Sequence, residues 1–387
     1  MENNKTPSIR FKGFTDPWEQ RKLGELVDVC SGRDYKHLSE GSIPVYGTGG
    51  YMLSVNDALS YDRDAIGIGR KGTIDRPYIL KAPFWTVDTL FYAIPREKVD
   101  LNFVFDIFQN IDWKKKDEST GVPSLSKTAI NNIDVLAPKH GEQQTIGQFF
   151  ATIDTLITLH QRKYNKLLNV KKSMLEKMFP KNGSNIPEIR FKGFTDPWEQ
   201  RKLGEMGQTY TGLSGKTKDD FGHGQARFVT YMNVFSNPVS NPEMTEPIEI
   251  DPKQNEVEVG DVFFTTSSET PEEVGMSSIL LEKRGKTYLN SFCFGFRPSE
   301  KIDSYYLAYM LRSESARAKI TLLAQGISRY NISKNKVMEI AVSLPSLDEQ
   351  KMIGQYFSQL DNLITLHQRE LEKLQNIKKS MLEKMFV

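Results

Sequence analysis

The stretch EQQTIGQFFATIDTLITLHQRKYNKLLNVKKSMLEKMFP (142–180) returns as EQKMIGQYFSQLDNLITLHQRELEKLQNIKKSMLEKMFV (349–387), with 26 of 39 positions identical. Ile146, Ile153, His160, Leu167 and Met174 recur every seven residues, with Phe150, Ile157, Tyr164 and Met178 along the same face. That stripe predicts one long amphipathic helix. The second copy keeps it as Ile353, Leu360, His367, Leu374 and Met381, beside Phe357, Ile364, Leu371 and Met385. Pro138 and Pro345 precede the two blocks, and Pro180 and Gly183 supply a helix stop after the first. At ~1.5 Å per residue each helix is a rod of roughly 55 Å. A single stripe on so long a helix needs an equally long partner, and the other copy is the economical one. The expectation is an antiparallel coiled coil with a pseudo-twofold axis. His160 and His367 fall on the stripe and read as packed seam residues rather than ligands.

Upstream of each helix the chain repeats again: IRFKGFTDPWEQRKLGE occupies 9–25 and 189–205. The heads are offset by 180 residues and the helices by 207, so the 27-residue difference lies in the inserts, 26–141 and 206–348. The inserts share almost no sequence, yet follow one order of elements. Gly-broken β-branched and aromatic runs come first (VYGTGGYM, 45–52; RFVTYMNVF, 227–235), then a buried-looking strand (VDTLFYAIP, 87–95; LNSFCFGFRP, 289–298). A helix follows (LNFVFDIF, 101–108; YYLAYMLR, 305–312), then a Gly-bearing loop and a Ser-Lys pair opening a short helix, at 126–127 and 333–334. The fold class is therefore α+β, two similar modules separated by a pair of long antiparallel helices. The domains divide as 1–141, 142–188, 189–348 and 349–387.

Composition narrows the class. A chain of 387 residues with 38% hydrophobic and 26% charged residues is that of a soluble globular protein of two or three domains. No run of about 18 apolar residues could span a membrane, and the N-terminus MENNKTPSIR has no apolar stretch of a secretory signal. Two cysteines, Cys30 and Cys293, exclude a disulfide framework and fit a reducing cytoplasm. Charge is unevenly spread: residues 243–282 carry a net of −10 and 283–336 a net of +8. Segregation of that kind is one footprint of a polyanion binder, unless the two stretches interleave in space and cancel.

Several short phrases imitate catalytic motifs and fail on context. Gly67-Ile68-Gly69-Arg70-Lys71-Gly72 has dinucleotide-loop spacing, but β-branched residues and Pro77 follow where a helix must start. Gly212-Leu213-Ser214-Gly215-Lys216-Thr217 has two residues between its glycines where a P-loop has four. Asp112-Trp113-Lys114 reads as a solvated charge run rather than a nuclease centre. No zincin helix, nucleophile elbow, Cys/His cluster or Pro-Pro dipeptide occurs, so neither a metal site nor a catalytic residue is assigned.

Two unlike modules, each followed by a copy of one helix ending in KKSMLEKMF, resemble the specificity subunit of type I restriction-modification systems. PWEQRKLGE, LP..DEQ before an amphipathic helix, YGTGGYM with IGRKGTI and FWTVDTLFY, and AQGISRYNISK carry the resemblance, which covers essentially the whole chain. The resemblance implies a cytoplasmic, non-catalytic DNA-binding protein. Each insert would be a target recognition domain reading one half of a split, asymmetric site in double-stranded DNA, with the helices setting the spacer. Two modification subunits, carrying S-adenosylmethionine and the adenine-methylating site, would dock on the helices. Restriction subunits using ATP and magnesium could join them. A non-catalytic scaffold binding proteins or glycans is the rival reading.

Residue type and loop context nominate the DNA contacts: Arg70, Lys71 and Arg76 around a Gly-rich turn, Ser124, Ser126 and Lys127 near the first Ser-Lys pair, and Arg227. In the second insert they are Ser328, Arg329, Tyr330, Asn331, Ser333 and Lys334, in a Gly-led loop before a helix. For the partner-binding helices the expected residues are Ile153, Ile157, Leu167, Met174, Leu360, Ile364, Leu374 and Met381.

Overall fold

The computed structural model describes residues 6–181 and 183–386. The chain forms two compact units, one made of residues up to 162 together with those from 368 onward, the other of 163–367. The division falls inside the long helices, His140–Lys177 and Leu347–Met385, rather than at the boundaries drawn from the repeats. Each helix thus gives one half to each unit.

In the first unit, strand Glu19–Lys22 pairs antiparallel with Asp134–Ala137. A four-stranded sheet runs in the order Val27–Ser31, Leu90–Pro95, Ala65–Gly69, Tyr78–Leu80, and a three-stranded sheet in the order Gly50–Val55, Glu40–Gly47, Trp85–Thr86. The second unit repeats this plan. Glu199–Lys202 pairs with Ala341–Leu344; the larger sheet is Gly207–Thr211, Cys293–Pro298, Val262–Thr265, Ser277–Ile279; the smaller is Thr245–Ile248, Phe221–Val229, Thr287–Leu289. Helices Leu101–Asn110 and Ser304–Met310 follow the buried central strands, each N-capped by an aspartate, Asp100 accepting from Phe103 N and Asp303 from Tyr306 N. One topology is written twice in almost unrelated sequence, because what both inserts keep is the pattern of buried strands and caps.

The repeated letters build the frame that holds each insert. Arg10 clamps Glu142 through two hydrogen bonds of 2.7 Å, and Arg190 clamps Glu349 at 2.7 and 2.8 Å. Both carboxylates are buried. The next residue ties the long helix to the insert: Gln143 donates to Pro138 O and accepts from Asp100 N, as Gln350 does with Pro345 O and Asp303 N. Four residues on, only glycine fits. A Cβ on Gly147 would lie 2.4 Å from Asp100 Oδ1, and one on Gly354 2.6 Å from Asp303 Oδ1.

Within each unit the two half-helices run antiparallel. Asp154 pairs with Lys378 in the first unit and Lys171 with Asp361 in the second, ion pairs that the 207 offset exchanges. Each unit is closed by an aromatic plug from a helix end. Phe386 packs against Trp18, Phe103 and Phe150, with centroids 5.6–6.1 Å apart; Phe179 packs against Trp198, Tyr306 and Phe357 at 5.8–6.3 Å. The expected stripe therefore faces inward. Ile153, Leu360 and Ile364 are buried, while Ile157, Leu167, Met174, Leu374 and Met381 are half-buried. Ile153, Leu360 and Ile364 are therefore closed off from a partner, while the half-buried stripe residues keep an accessible edge. His160 and His367 are half-buried on the same stripe. The long helices also expose apolar side chains: Leu168 and Met352 singly, and in repeat-related positions Leu156 and Leu159 with Leu363 and Leu366, the last four between 40% and 54% accessible.

Candidate nucleic-acid interface

The nominated residues of the first insert converge on one strip. Strand Ala65–Gly69 leaves its sheet at Arg70, whose N–H donates to Thr89 O at 2.8 Å. Leu125 N donates to Arg70 O (3.0 Å) and Gly72 N to Pro123 O (2.9 Å), so Lys71 and Ser124 face each other as an antiparallel bridge. Asp117 shapes the far side, accepting from Ser119 N, Ser119 Oγ and Ser124 N, and these bonds hold its pKa below the usual carboxylate range. Arg70 lies with its guanidinium 5.7 Å from the Phe91 ring centroid. Arg70, Lys71 and Arg76 are exposed, and Lys127 is half-buried at the first turn of its helix. Ser126 is corrected: its Oγ accepts from Ala129 N at 3.0 Å, so it caps that helix instead of facing outward.

The second unit builds the same crossing from other residues. Thr266 N donates to Phe292 O (2.9 Å), Ile332 N donates to Thr266 O (3.0 Å), and Ser267 pairs with Asn331. The pairing is the counterpart of Arg70, Leu125, Lys71 and Ser124. Gln325 and Asn331 exchange two backbone hydrogen bonds of 2.9 Å, pinning the loop that carries Ser328, Arg329 and Tyr330. Gly326 has φ 143°, and a Cβ there would meet Arg329 O at 2.0 Å, so glycine is what lets the loop double back. Ser328, Arg329, Asn331 and Ser333 are exposed; Tyr330 and Lys334 are half-buried.

Arg227 is a second correction. It sits in strand Phe221–Val229 with Nε donating to Thr245 Oγ1 at 2.6 Å, so its guanidinium is engaged in bracing the three-stranded sheet. The charge segregation is a third, because the two stretches interleave. Lys283 pairs with Glu256, Arg284 with Glu243, and Arg297 with both Asp261 and Glu258, at 2.6–2.8 Å. Arg312 and Arg317 turn inward onto carbonyl oxygens of 234, 235 and 277, and of 272, 274 and 275. Burial lowers their pKa values to about 9 and about 10, still charged at neutral pH. Part of the apparent +8 is thus offset by ion pairs inside the unit, and two more of its cations are turned away from solvent.

Neither imitation of a phosphate loop has the geometry for one. Gly69 ends a buried strand and no helix follows Gly72. Lys216 is held by Asp251 at 2.9 Å and Asp220 at 3.7 Å. Sequence reasoning missed Thr266 and Ser267, which lie some sixty residues from the loop they face; only the strand pairing reveals them. It read Lys114 as part of a solvated charge run and did not single out Lys115 and Lys116.

Among the described residues no helix is long and apolar enough to cross a membrane. The family model of the type I restriction modification DNA specificity domain matches residues 15–169 and again 195–376. Among curated proteins, the chain is 25% identical over 285 residues to the type I restriction enzyme MjaVIII specificity subunit of Methanocaldococcus jannaschii, a match taking in 70% of this chain and 65% of that protein. It is 24% identical over 272 residues to the putative MjaX specificity subunit of the same organism, covering 67% and 60%. The chain thus spans less than two thirds of either relative. Among solved structures it resembles the S subunit of a type I restriction-modification system from M. genitalium, with TM-score 0.63, 14% identity and 99% of each chain covered. It also resembles a chain from work on complex assembly and conformational transition of the type I R-M system, with TM-score 0.51, 15% identity and 96% and 98% covered. These likenesses speak for the fold, and the doubled model match speaks for descent: the chain belongs to the type I restriction modification DNA specificity family, whose domain it carries twice.

Proposed function

We propose that this chain supplies DNA sequence specificity to a type I restriction-modification assembly and performs no chemistry itself. Each unit reads one half of a split site, and the long helices set the spacing. One observation carries the reading: two units of one topology, locked by identical frames, present different side chains from the same backbone crossing. Identical frames suit two identical partners, while unlike strips suit two unlike half-sites.

The partners are two modification subunits bringing S-adenosylmethionine and the adenine-methylating site, together with restriction subunits using ATP and magnesium where cutting occurs. Their docking surface includes Leu156 and Leu159 on one helix and Leu363 and Leu366 on the other, because these apolar side chains stay exposed in repeat-related positions. Reconstitution with a modification subunit, followed by mapping of methylated adenines, tests the reading. A bipartite methylated site appearing only with both proteins supports it. Methylation by the isolated chain, or none by the pair, overturns it.

A further inference from the structure

The same place in the two repeats, between the helix after the central strand and the closing short helix, places its basic residues differently. In the second unit this stretch holds Arg312, Arg317 and Lys319, turned inward onto carbonyl oxygens, Lys319 onto Ala341 O at 2.7 Å, and leaves Arg329 as its one exposed cation. In the first unit it is the single turn Trp113–Lys116. Trp113 is buried and donates from Nε1 to Phe108 O at 2.7 Å, which anchors the turn and leaves its three lysines outward. Lys114 and Lys115 are 76% and 81% accessible.

This turn is joined to the strip on both sides. Lys114 reaches Asp75 at 3.0 Å, beside Arg76. Asp117, the next residue after the turn, holds Ser124 opposite Lys71. Asp75 and Asp112 offset part of the charge, Asp112 through Lys115 at 3.1 Å. Lys116, Lys71, Arg76 and Lys127 have no ion-pair partner among the described residues, so the surface keeps a net positive charge.

We propose that Lys114–Lys116 is a phosphate-gripping surface for duplex DNA, giving the first unit the stronger electrostatic anchor of the two. The proposal rests on the DNA-reading function above and goes beyond it by dividing the binding work unequally. A turn held rigid by a buried tryptophan and carrying compact ammonium groups suits backbone contact rather than base readout.

The test uses the full chain in complex with its modification subunit and a long mixed-sequence duplex, with affinity measured across a range of salt. Each phosphate left without its cation lowers the salt slope by about 0.9. Lys115→Ala with Lys116→Ala should therefore lower it by about two, and the arginine pair Lys115→Arg with Lys116→Arg should restore it. Because the duplex is not cognate, the loss is read independently of sequence. An unchanged slope in the alanine pair overturns the proposal while leaving the DNA reading intact. Failure of the unaltered complex to bind any duplex overturns both. An alanine pair whose complex melts early while the arginine pair keeps normal stability and slope still supports it; equal slope reduction in both pairs counts against it.

Discussion

Arg70 and Lys71 in one unit, and Thr266 and Ser267 in the other, make the same backbone hydrogen bonds and use their side chains in opposite ways. The first pair is cationic and exposed. The second turns its hydroxyls into the fold, Ser267 buried and Thr266 Oγ1 donating to Phe292 O at 2.8 Å, and the unit's arginine, Arg329, stands on the opposing loop instead. Backbone pairing, fixed by the core beneath, is thus separable from the chemistry displayed above it. Such separation lets a recognition surface diverge while its fold stays put.

The strongest way to break this comparison is to exchange 206–348 for the matching insert of a relative. Only the half-site read by the second unit should change, with the first half and the spacer as before, read by mapping methylated adenines. A changed spacer would mean that the inserts, not the helices, set the distance.

The frames should respond alike, unlike the strips. Glu142→Ala and Glu349→Ala each strand a half-buried arginine, so the cost should fall below the ~3–5 kcal/mol of a fully buried pair. Hydrogen exchange of each unit should show matching losses. A large effect in one unit alone would mean that the frames are not equivalent.

A sharper contrast lies where the helix after the central strand meets the seam. In the second unit Tyr309 donates to Asp361 Oδ2 at 2.8 Å. In the first the corresponding residue is Asp106, 1% accessible, with Oδ2 lacking a partner among the described residues. Burial, and then the nearby Asp154 and Asp100, push its pKa well above the ordinary value, against the opposing pull of Lys378. A raised carboxyl pKa stabilises the fold fully below the unfolded value, and that stability drains as pH rises toward the folded pKa. The first unit should therefore lose up to about 1.4 kcal/mol per pH unit above pH ~4. Asp106→Asn should flatten that slope, measured by unfolding across pH. Tyr309→Phe should cost about 1 kcal/mol in the second unit, independent of pH through neutrality.

The last contrast leaves folding untouched and concerns Arg329→Ala. If Arg329 grips a phosphate, its removal lowers the salt slope by about one across all sequences. If it reads a guanine, a single position relaxes by roughly 1–3 kcal/mol. Unchanged binding of single-substituted duplexes at two salt concentrations would remove Arg329 from the interface.

The long helices, their seam and the common order of elements were legible because periodicity and repetition are one-dimensional signals. Arg70, Lys71 and Ser124 could be nominated for the same reason, since glycine and polar loops announce themselves locally. What faces what could not be read. Thr266 and Ser267 meet 331 only through strand pairing, Arg227 looks free until Thr245 is placed beside it, and the +8 stretch looks exposed until Glu243, Glu256 and Asp261 fold onto it. Charge on a sequence becomes charge on a surface only after burial and pairing are subtracted. The stripe located the helices, but not that Ile153, Leu360 and Ile364 would be spent on internal packing.

Ile9 N donates to Lys384 O at 3.1 Å, as Ile189 N does to Lys177 O at 2.9 Å. In the second case the two residues are twelve apart in the chain; in the first they are separated by nearly its whole length. On a ribosome, therefore, the unit begun first is finished last. Residues 163–367 can complete their core as they emerge, while Trp18, Phe103 and Phe150 wait for Phe386 to arrive. Losing the segment around Phe386 would leave the second unit whole and open the core of the first, so damage in residues made late would surface as misfolding of residues made early.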